Sequence, residues 1–165
     1  MTPGAGVHYN YRNGAAPGGG GCQTCTDSSE QEGNDGSSEN AETVRRGYEA
    51  FNTADMKTLT EIFDESASWH TPGRGSLAGD HEGREATFAY FGRLGQETGG
   101  TFKATLQHVL TDDDGRVVGI HHNTAERDGK QLDVYCCIVF ELKDGRVTDG
   151  REHFYDLYAW DEFWS

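Results

Sequence analysis

The hydrophobic period of the chain changes at Thr101, and this change constrains the fold more than any other feature. From there on, apolar and polar residues alternate through four segments separated by DDDG, RDGK and KDGR. A period of two is typical of half-buried strands, and short Asp-Gly sequences favour tight turns. The sequence therefore predicts an antiparallel meander of strands joined by hairpins.

The region before the meander has a helical period instead. Between Asn40 and Phe63 the apolar residues are spaced by three and four, which predicts two amphipathic helices. The NTAD sequence at 52–55 favours a turn and a new N-cap between them. A short strand in SASWH follows, and a third helix is predicted over 84–96. Helices followed by a meander predict an α+β fold whose helices cover one face of a curved antiparallel sheet.

The first 40 residues differ in composition from the rest. The whole chain is only 34% hydrophobic, and this segment contains APGGGG, NDGSSEN and a single aliphatic residue larger than alanine, Val7. Such a segment buries too little apolar surface to offset the entropy lost on ordering. We therefore predict a flexible, acidic, Gly/Ser-rich arm over 1–40 and one folded domain over 41–165. Cys22 and Cys25 have no second pair at zinc-ribbon spacing, so an incidental pair is favoured over a metal or redox site.

The charge of the chain restricts its partners. The formal net charge is −14, and acidic surfaces repel both phosphate backbones and anionic lipid headgroups. The chain starts without the basic and apolar regions of a secretory signal, and it has no apolar run of about 18 residues. The sequence thus predicts a cytoplasmic protein that binds neither nucleic acid nor membrane.

Two adjacent histidines, His121 and His122, lie within the second strand of the meander. Successive side chains of a strand point to opposite faces, so only one of them can face the helices. Val118 and Ile120 alternate in phase with His122, which favours an inward His122 and an outward His121. The same alternation in the preceding strand predicts an inward His108.

The order of these elements resembles that of a known family. The segments YEAFNTADMKTLTEIFDESASWHTPGRGSLAGDHEGREATFAYF and VFELKDGRVTDGREHFYDLYAW are similar to the SnoaL-like branch of the nuclear transport factor 2-like superfamily. Its relatives include ketosteroid isomerases, polyketide cyclases and limonene epoxide hydrolases. The resemblance spans roughly residues 40–160. It implies a cone-shaped, cystatin-like domain with an apolar pocket between helices and sheet, often dimeric through the sheet.

The resemblance does not carry over the catalytic residues of the isomerases. Their general-base Asp would fall on Thr71, their oxyanion-hole Tyr on Gly47 and their second Asp on Ile138. None of these three residues can perform the corresponding role. Ordinary ketosteroid isomerase activity is therefore not expected.

The epoxide hydrolases match the chain at one acidic residue. Their W-R-D-Y-F-D pattern resembles GREHFYD, which puts Glu152 at the site of an acid that acts on the epoxide or on water. Their Arg and second Asp would fall on His122 and Thr124. The resemblance thus makes water activation conceivable through Glu152 alone.

These patterns define a candidate site in the expected pocket. The residues predicted to be catalytic are His122, Glu152 and His70, and those predicted to bind a ligand are Trp69, His108, Tyr48, Phe140 and Ile138. A His122–Glu152 pair would serve as base and orienting acid for removing a proton next to a carbonyl, or would activate a water. The alternative for each histidine is a core residue with a structural hydrogen bond. No metal is predicted, because no H-x-H or H-x-x-x-H spacing brings ligands to one point.

The sequence therefore predicts a homodimeric, cofactor-independent general acid/base enzyme of isomerase, cyclase or hydrolase type. Its expected substrate is a small apolar molecule that carries a carbonyl or an epoxide. The alternative is a non-catalytic module whose pocket binds a hydrophobic ligand or serves as a scaffold.

Overall fold

The structure is a computed structural model that describes residues 29–165. Its elements follow in the order α1 Ser29–Asn52, α2 Met56–Ile62, β1 Phe63–Thr71, β2 Gly79–His81, α3 Arg84–Glu97, β3 Lys103–Thr111, β4 Val117–Arg127, β5 Lys130–Lys143, β6 Arg146–Phe154 and α4 Leu157–Trp164. None of the helices in this part of the chain has both the length and the hydropathy needed to cross a bilayer.

The strands form a single six-stranded sheet in the order β2-β1-β6-β5-β4-β3. Strands β3 to β6 pair in sequence and antiparallel, which confirms the predicted meander. Strand β1 runs parallel to β6 and makes the sheet mixed, while β2 pairs antiparallel at the edge. The helices pack on this sheet, so the predicted α+β architecture is confirmed. We call the face that looks into the core the inner face and the opposite one the outer face.

Helix α1 is longer than the sequence predicts. It begins at Ser29, so residues 29–40 of the predicted arm are helical. The rest of the arm, with Cys22 and Cys25, lies outside the described residues. The predicted break after α1 is present, and the Asp55 side chain caps α2 by accepting a hydrogen bond from the Thr58 backbone N–H at 3.1 Å.

The loop between β4 and β5 determines which residues of β4 point inward. Asp128 and Gly129 have φ values of 52° and 77°, as in a two-residue type I′ turn. The register that follows places each odd residue of β4 opposite an even residue of β5, for example His121 opposite Cys136. The even residues of β5 from 132 to 140 are buried as predicted, so the inner face of β4 consists of Val117, Gly119, His121, Asn123 and Ala125.

Strand β3 contains a bulge that changes the direction of its side chains. Leu106 pairs with His121 while His108 pairs with Ile120, so Gln107 is an extra residue on β3. His108 therefore lies on the outer face and is exposed. The predicted inward orientation of His108 is wrong, because it assumed an uninterrupted strand.

The aromatic residues at the end of the chain form α4. Trp160, Phe163 and Trp164 are buried, and Trp160 stacks on Phe154 with ring centroids 4.0 Å apart. Tyr158 is exposed. Helix α4 thus covers the end of β5 and β6 with three of its aromatic side chains.

Candidate functional site

A cavity of about 60 Å³ lies between the inner face and helices α1 to α3. Most of its wall is aliphatic or aromatic, from Val44, Phe51, Leu59, Ile62, Phe63, Phe91, Leu94, Phe102, Ala104, Ile138, Phe140 and Val147. Five side chains with polar atoms interrupt this wall, namely Tyr48, Trp69, His121, Asn123 and Glu152. The cavity is therefore an apolar chamber with a few polar groups at defined places.

Two glycines on the inner face admit aromatic side chains close to the sheet. A Cβ atom at Gly119 would lie 2.8 Å from the Tyr48 hydroxyl oxygen, and one at Gly150 would overlap the ring of Trp69. Both strands lack a side chain where these rings approach. The positions of Tyr48 and Trp69 in the wall thus depend on Gly119 and Gly150.

Glu152 forms one polar end of the cavity and is only 7% exposed. The Tyr90 hydroxyl donates a hydrogen bond of 3.0 Å to Glu152 Oε2. Burial raises the pKa of Glu152 to about 7, although the polar groups of Thr71, Tyr90 and Trp69 partly lower it. Of these three groups only Tyr90 has hydrogen-bond geometry, because Thr71 Oγ1 and Trp69 Nε1 are buried without a partner. A carboxyl group with this pKa can both give and take a proton near neutral pH.

His121 forms a second polar end together with Tyr48. The Tyr48 hydroxyl oxygen lies 2.8 Å from His121 Nδ1. Burial lowers the pKa of His121 to about 4 and raises that of Tyr48, so both side chains are neutral at pH 7. One of their two hydrogens lies between the oxygen and Nδ1, which leaves the other N–H or O–H available to a ligand.

The two polar ends are separated by a strand. Glu152 pairs with Ile138, which pairs with Gly119, and His121 follows two residues further along β4. Strand spacing then gives about 10 Å across the sheet and about 7 Å along it, or roughly 12 Å between the two Cα atoms. Glu152 and His121 therefore approach the cavity from two sides and are not a directly bonded pair.

His122 lies on the outer face, away from this cavity. Its Nε2 is 2.7 Å from Asp133 Oδ1, and its ring stacks on Tyr135 at 4.5 Å. The prediction that His122 points inward is wrong, since Val118 and Ile120 are half-buried residues of the outer face. The comparison with the epoxide hydrolases indicated His122 and Thr124. The residues of β4 that face the cavity are instead His121 and Asn123.

His70 also lies on the outer face, so its predicted inward position is wrong. Its Nδ1 is 2.6 Å from Asp80 Oδ1, and its Nε2 is 2.7 Å from Asp149 Oδ2. The hydrogen bond with Asp80 contributes most to a pKa of His70 above its ordinary value. The preceding residue Trp69 points inward, as strand alternation requires.

The structure brings together five of the residues predicted for the site and leaves three out. Those in the cavity wall are Tyr48, Trp69, Ile138, Phe140 and Glu152, and those outside it are His70, His108 and His122. The sequence analysis missed His121, Asn123, Thr71 as a neighbour of Glu152, and Tyr90. The roles of all these residues stay predictions. In the described part of the chain, no group of three or more His, Cys, Asp or Glu residues could hold a metal ion.

Comparisons with known proteins agree with this fold. Bal32a, from a soil-derived mobile gene cassette, is 77% identical, with a TM-score of 0.78 over 79% of this chain and 99% of that one. The uncharacterized protein Rv0034 of Mycobacterium tuberculosis is 34% identical over 122 residues, or 74% of this chain and 93% of that protein.

A more distant structure is similar in fold alone. A nuclear transport factor 2-like protein from Burkholderia xenovorans is 21% identical, with a TM-score of 0.66 over 78% of this chain and 97% of that one. This likeness confirms the predicted α+β fold. The model of the SnoaL-like domain matches residues 44–150, and the chain therefore belongs to the SnoaL-like domain family.

Proposed function

We propose that this protein is a cofactor-independent enzyme that uses Glu152 as general acid and base on a small apolar molecule with a carbonyl or an epoxide. The observation that carries the proposal is a carboxyl group with a pKa of about 7 in the wall of an otherwise apolar cavity. Proton transfer is most efficient when the pKa of the group lies near the working pH. Perturbed carboxyl groups of this kind are concentrated at functional sites.

The two protonation states of Glu152 would do different work. The carboxylate would take a proton from a carbon next to a carbonyl, or from a water that adds to an epoxide. The carboxylic acid formed in that step would return the proton to the product. The hydrogen bond from Tyr90 fixes the position of Oε2, and the apolar wall excludes bulk water from the reacting atoms.

Substrate binding would enlarge the cavity. A cavity of about 60 Å³ is smaller than the roughly 150 Å³ that accepts benzene in an engineered protein. Three phenylalanines of the wall are only partly buried: Phe51 lies edge to face with Phe91 at 5.4 Å and with Phe102 at 6.0 Å. Movement of these three rings would admit a substrate between α1, α3 and the start of β3.

The second candidate is a non-catalytic module that binds a hydrophobic ligand. The three positions that carry catalysis in the isomerases hold Thr71, Gly47 and Ile138 here. A pocket that kept its shape without these groups would still bind an apolar molecule. The two candidates differ in whether the bound molecule is changed.

Turnover by a matched pair of variants tests the proposal. A panel of ketones, enones and epoxides would be followed by NMR in D₂O, which detects exchange of protons next to a carbonyl as well as product formation. We expect Glu152→Gln to lose at least about 100-fold in kcat/KM, with a wild-type pH profile that bends near pH 7. The control His122→Gln, on the outer face, should keep wild-type rates. Ligands bound by both wild type and Glu152→Gln without any chemical change would instead favour the binding module.

The outer face supports a proposed homodimer. Tyr135 and Tyr155 are 44% and 67% exposed, with ring centroids 5.9 Å apart, and half-buried Val118 and Ile120 lie on the same face. Aromatic residues of this kind are enriched at protein interfaces. Light scattering after gel filtration should give twice the monomer mass, and Tyr135→Lys should give the monomer. The cytoplasmic location stays a prediction.

A further inference from the structure

Buried polar atoms without partners cluster around the cavity. Within the described residues there are four such side-chain atoms: Trp69 Nε1, Thr71 Oγ1, Asn123 Oδ1 and Trp164 Nε1. Trp69 and Asn123 line the cavity, whereas Trp164 belongs to α4. Native proteins pair nearly all of their buried polar groups, so each exception calls for an explanation. The exceptions at Trp69 and Asn123 in the cavity wall and at Thr71 beside Glu152 are explained together if a ligand supplies the missing partners.

The unpartnered atoms near Glu152 are hydrogen-bond donors. Thr71 lies next to Glu152 because β1 and β6 pair in parallel, with His70 beside Arg151. The Trp69 indole can only donate, and the Thr71 hydroxyl carries a hydrogen as well. Tyr90 already donates to Glu152 Oε2. This end of the cavity therefore suits an acceptor, and a carbonyl oxygen is the acceptor that an apolar molecule most readily carries into a dry site.

The other end offers one acceptor and one donor. Asn123 Oδ1 is free to accept a hydrogen bond. The Tyr48–His121 pair has one hydrogen left after its internal hydrogen bond. Asn123 and His121 are two residues apart on the inner face of β4, and the nearby Asn123 side chain opposes the lowering of the His121 pKa by burial. A hydroxyl group, which accepts and donates at once, fits this end.

We propose that the ligand is a hydroxy ketone whose two oxygens lie on opposite sides of an apolar ring. Its carbonyl oxygen accepts hydrogen bonds from Trp69 and Thr71, and its hydroxyl donates to Asn123 and accepts from the Tyr48–His121 pair. The placement of the carbonyl beside Glu152 rests on the proposed function, since that is where the proton transfer would take place. The recognition of the hydroxyl requires no chemistry.

Three related probes test the assignment: 4′-hydroxypropiophenone, propiophenone without the hydroxyl, and 4-propylphenol without the carbonyl. Dissociation constants would be measured by ¹H–¹⁵N NMR titration of the whole chain. We expect the hydroxy ketone to bind about 5-fold more tightly than either analogue, because each analogue leaves one set of polar groups unpaired. Equal affinity of the three probes for the wild type would overturn the proposal without any variant.

Two variants assign each contact. Asn123→Leu should bring the affinity ratio of hydroxy ketone to propiophenone close to one. Thr71→Val should reduce the ratio of hydroxy ketone to 4-propylphenol. The control Thr124→Val, on the outer face beside Asn123, should keep both ratios. An unchanged ratio in a folded Asn123→Leu would overturn the hydroxyl contact, and the wild-type comparison decides the matter if that variant fails to fold.

The outcome for the ligand is separable from the outcome for the proposed function. If the wild type shows the expected affinity ratios but no turnover, the proposed enzymatic activity is overturned and the hydroxy ketone remains as a bound ligand. Turnover of simple ketones with equal affinity for all three probes would confirm the enzyme and overturn the hydroxy ketone.

Discussion

The inner and outer faces of the sheet carry the same kinds of titratable residue in opposite states. On the inner face, burial raises the pKa of Glu152 to about 7 and lowers that of His121 to about 4, so both favour their neutral forms. On the outer face, the hydrogen bond between His70 and Asp80 raises the pKa of the histidine and lowers that of the acid, so both favour their charged forms. The side of the sheet, and not the residue type, determines the charge.

This difference arises within one step along a strand. The pairs 69–70, 121–122 and 151–152 each place one residue in the core and its neighbour on the outer face. Alternation thus gives each of these strands a neutral or apolar group inside and a polar or charged group outside. A proton-transfer group such as Glu152 can be built in this way next to a solvent-exposed Arg151.

The largest expected effect comes from placing a charge on each face in turn. Cys136 is fully buried on the inner face, while Cys137 is partly exposed on the outer face. Cys136→Asp should lower the free energy of unfolding at pH 7.5 by about 4 kcal/mol, because a buried carboxylate loses its hydration. Cys137→Asp should cost less than about 1.5 kcal/mol. Urea unfolding of both variants measures the difference, and equal losses would contradict the distinction between the faces.

The pH dependence of stability should reveal the two inner-face groups, which act in opposite directions. Folded Glu152 keeps its proton up to a pH of about 7, whereas the unfolded chain loses it near the ordinary value of 4.5, so this group makes stability fall as pH rises. Folded His121 stays neutral down to a pH of about 4, whereas the unfolded chain binds the proton near 6.5, so this group makes stability fall as pH drops. Each contributes roughly 3 kcal/mol, and the two largely cancel between these limits.

Single variants should remove this cancellation. In Glu152→Gln only the His121 effect remains, so the free energy of unfolding should rise between pH 4 and 6.5. In His121→Gln only the Glu152 effect remains, so the free energy of unfolding should fall between pH 4.5 and 7. Urea unfolding at several pH values gives both slopes. Curves that run parallel to the wild type would show that neither group is shifted by burial.

A smaller effect is expected where the inner face lacks a side chain. Gly150→Ala would push a methyl group into the ring of Trp69 and should cost about 2 kcal/mol. The control is Gly92→Ala on the exposed side of α3, where nothing lies within 4 Å of the new methyl. It should stabilise the protein by about 0.5 to 1 kcal/mol through helix propensity. A similar loss of stability in both variants, measured by thermal unfolding, would show that Gly150 is not needed to admit the ring of Trp69.

The smallest effect concerns the outer-face pair of His70 and Asp80. Because the Asp80 side chain is 69% exposed, Asp80→Asn should have little effect on the free energy of unfolding. The raised pKa of His70 means that this contribution is present at low pH and is lost as pH rises through the folded pKa. NMR titration of the His70 ring should give a midpoint above 6.5, and Asp80→Asn should lower it. A midpoint that is the same in Asp80→Asn as in the wild type would show that Asp80 does not raise the pKa of His70.

The sequence predicted those parts of the fold that depend on local patterns. The meander, its Asp-Gly turns, α2 and α3 follow from periodicity and turn chemistry within short windows. The inner face of β4 was also available from the sequence: the two-residue turn at 128–129 pairs odd residues with the even, apolar residues of β5. Val118 and Ile120 misled the prediction, because a sheet whose outer face is half buried carries aliphatic residues on both sides.

The remaining features depend on tertiary packing. The Gln107 bulge has no distinct local pattern, yet it turns His108 to the outer face. The bonds from Tyr48 to His121 and from Tyr90 to Glu152 join residues 73 and 62 positions apart. Only the arrangement of α1 and α3 over the sheet brings these groups together. The sequence therefore indicates which residue types can form the candidate site, but not which of these residues are in contact.

The short turn at Asp128 and Gly129 has a consequence far from its own position. A strand shifted by one residue against its partner exchanges all the side chains of its two faces. A one-residue change in the length of this exposed loop that shifted β4 against β5 would therefore bring His122 and Thr124 into the chamber and expel His121 and Asn123. Insertions and deletions at this surface tip would alter what the interior can recognise more deeply than most substitutions in the wall itself.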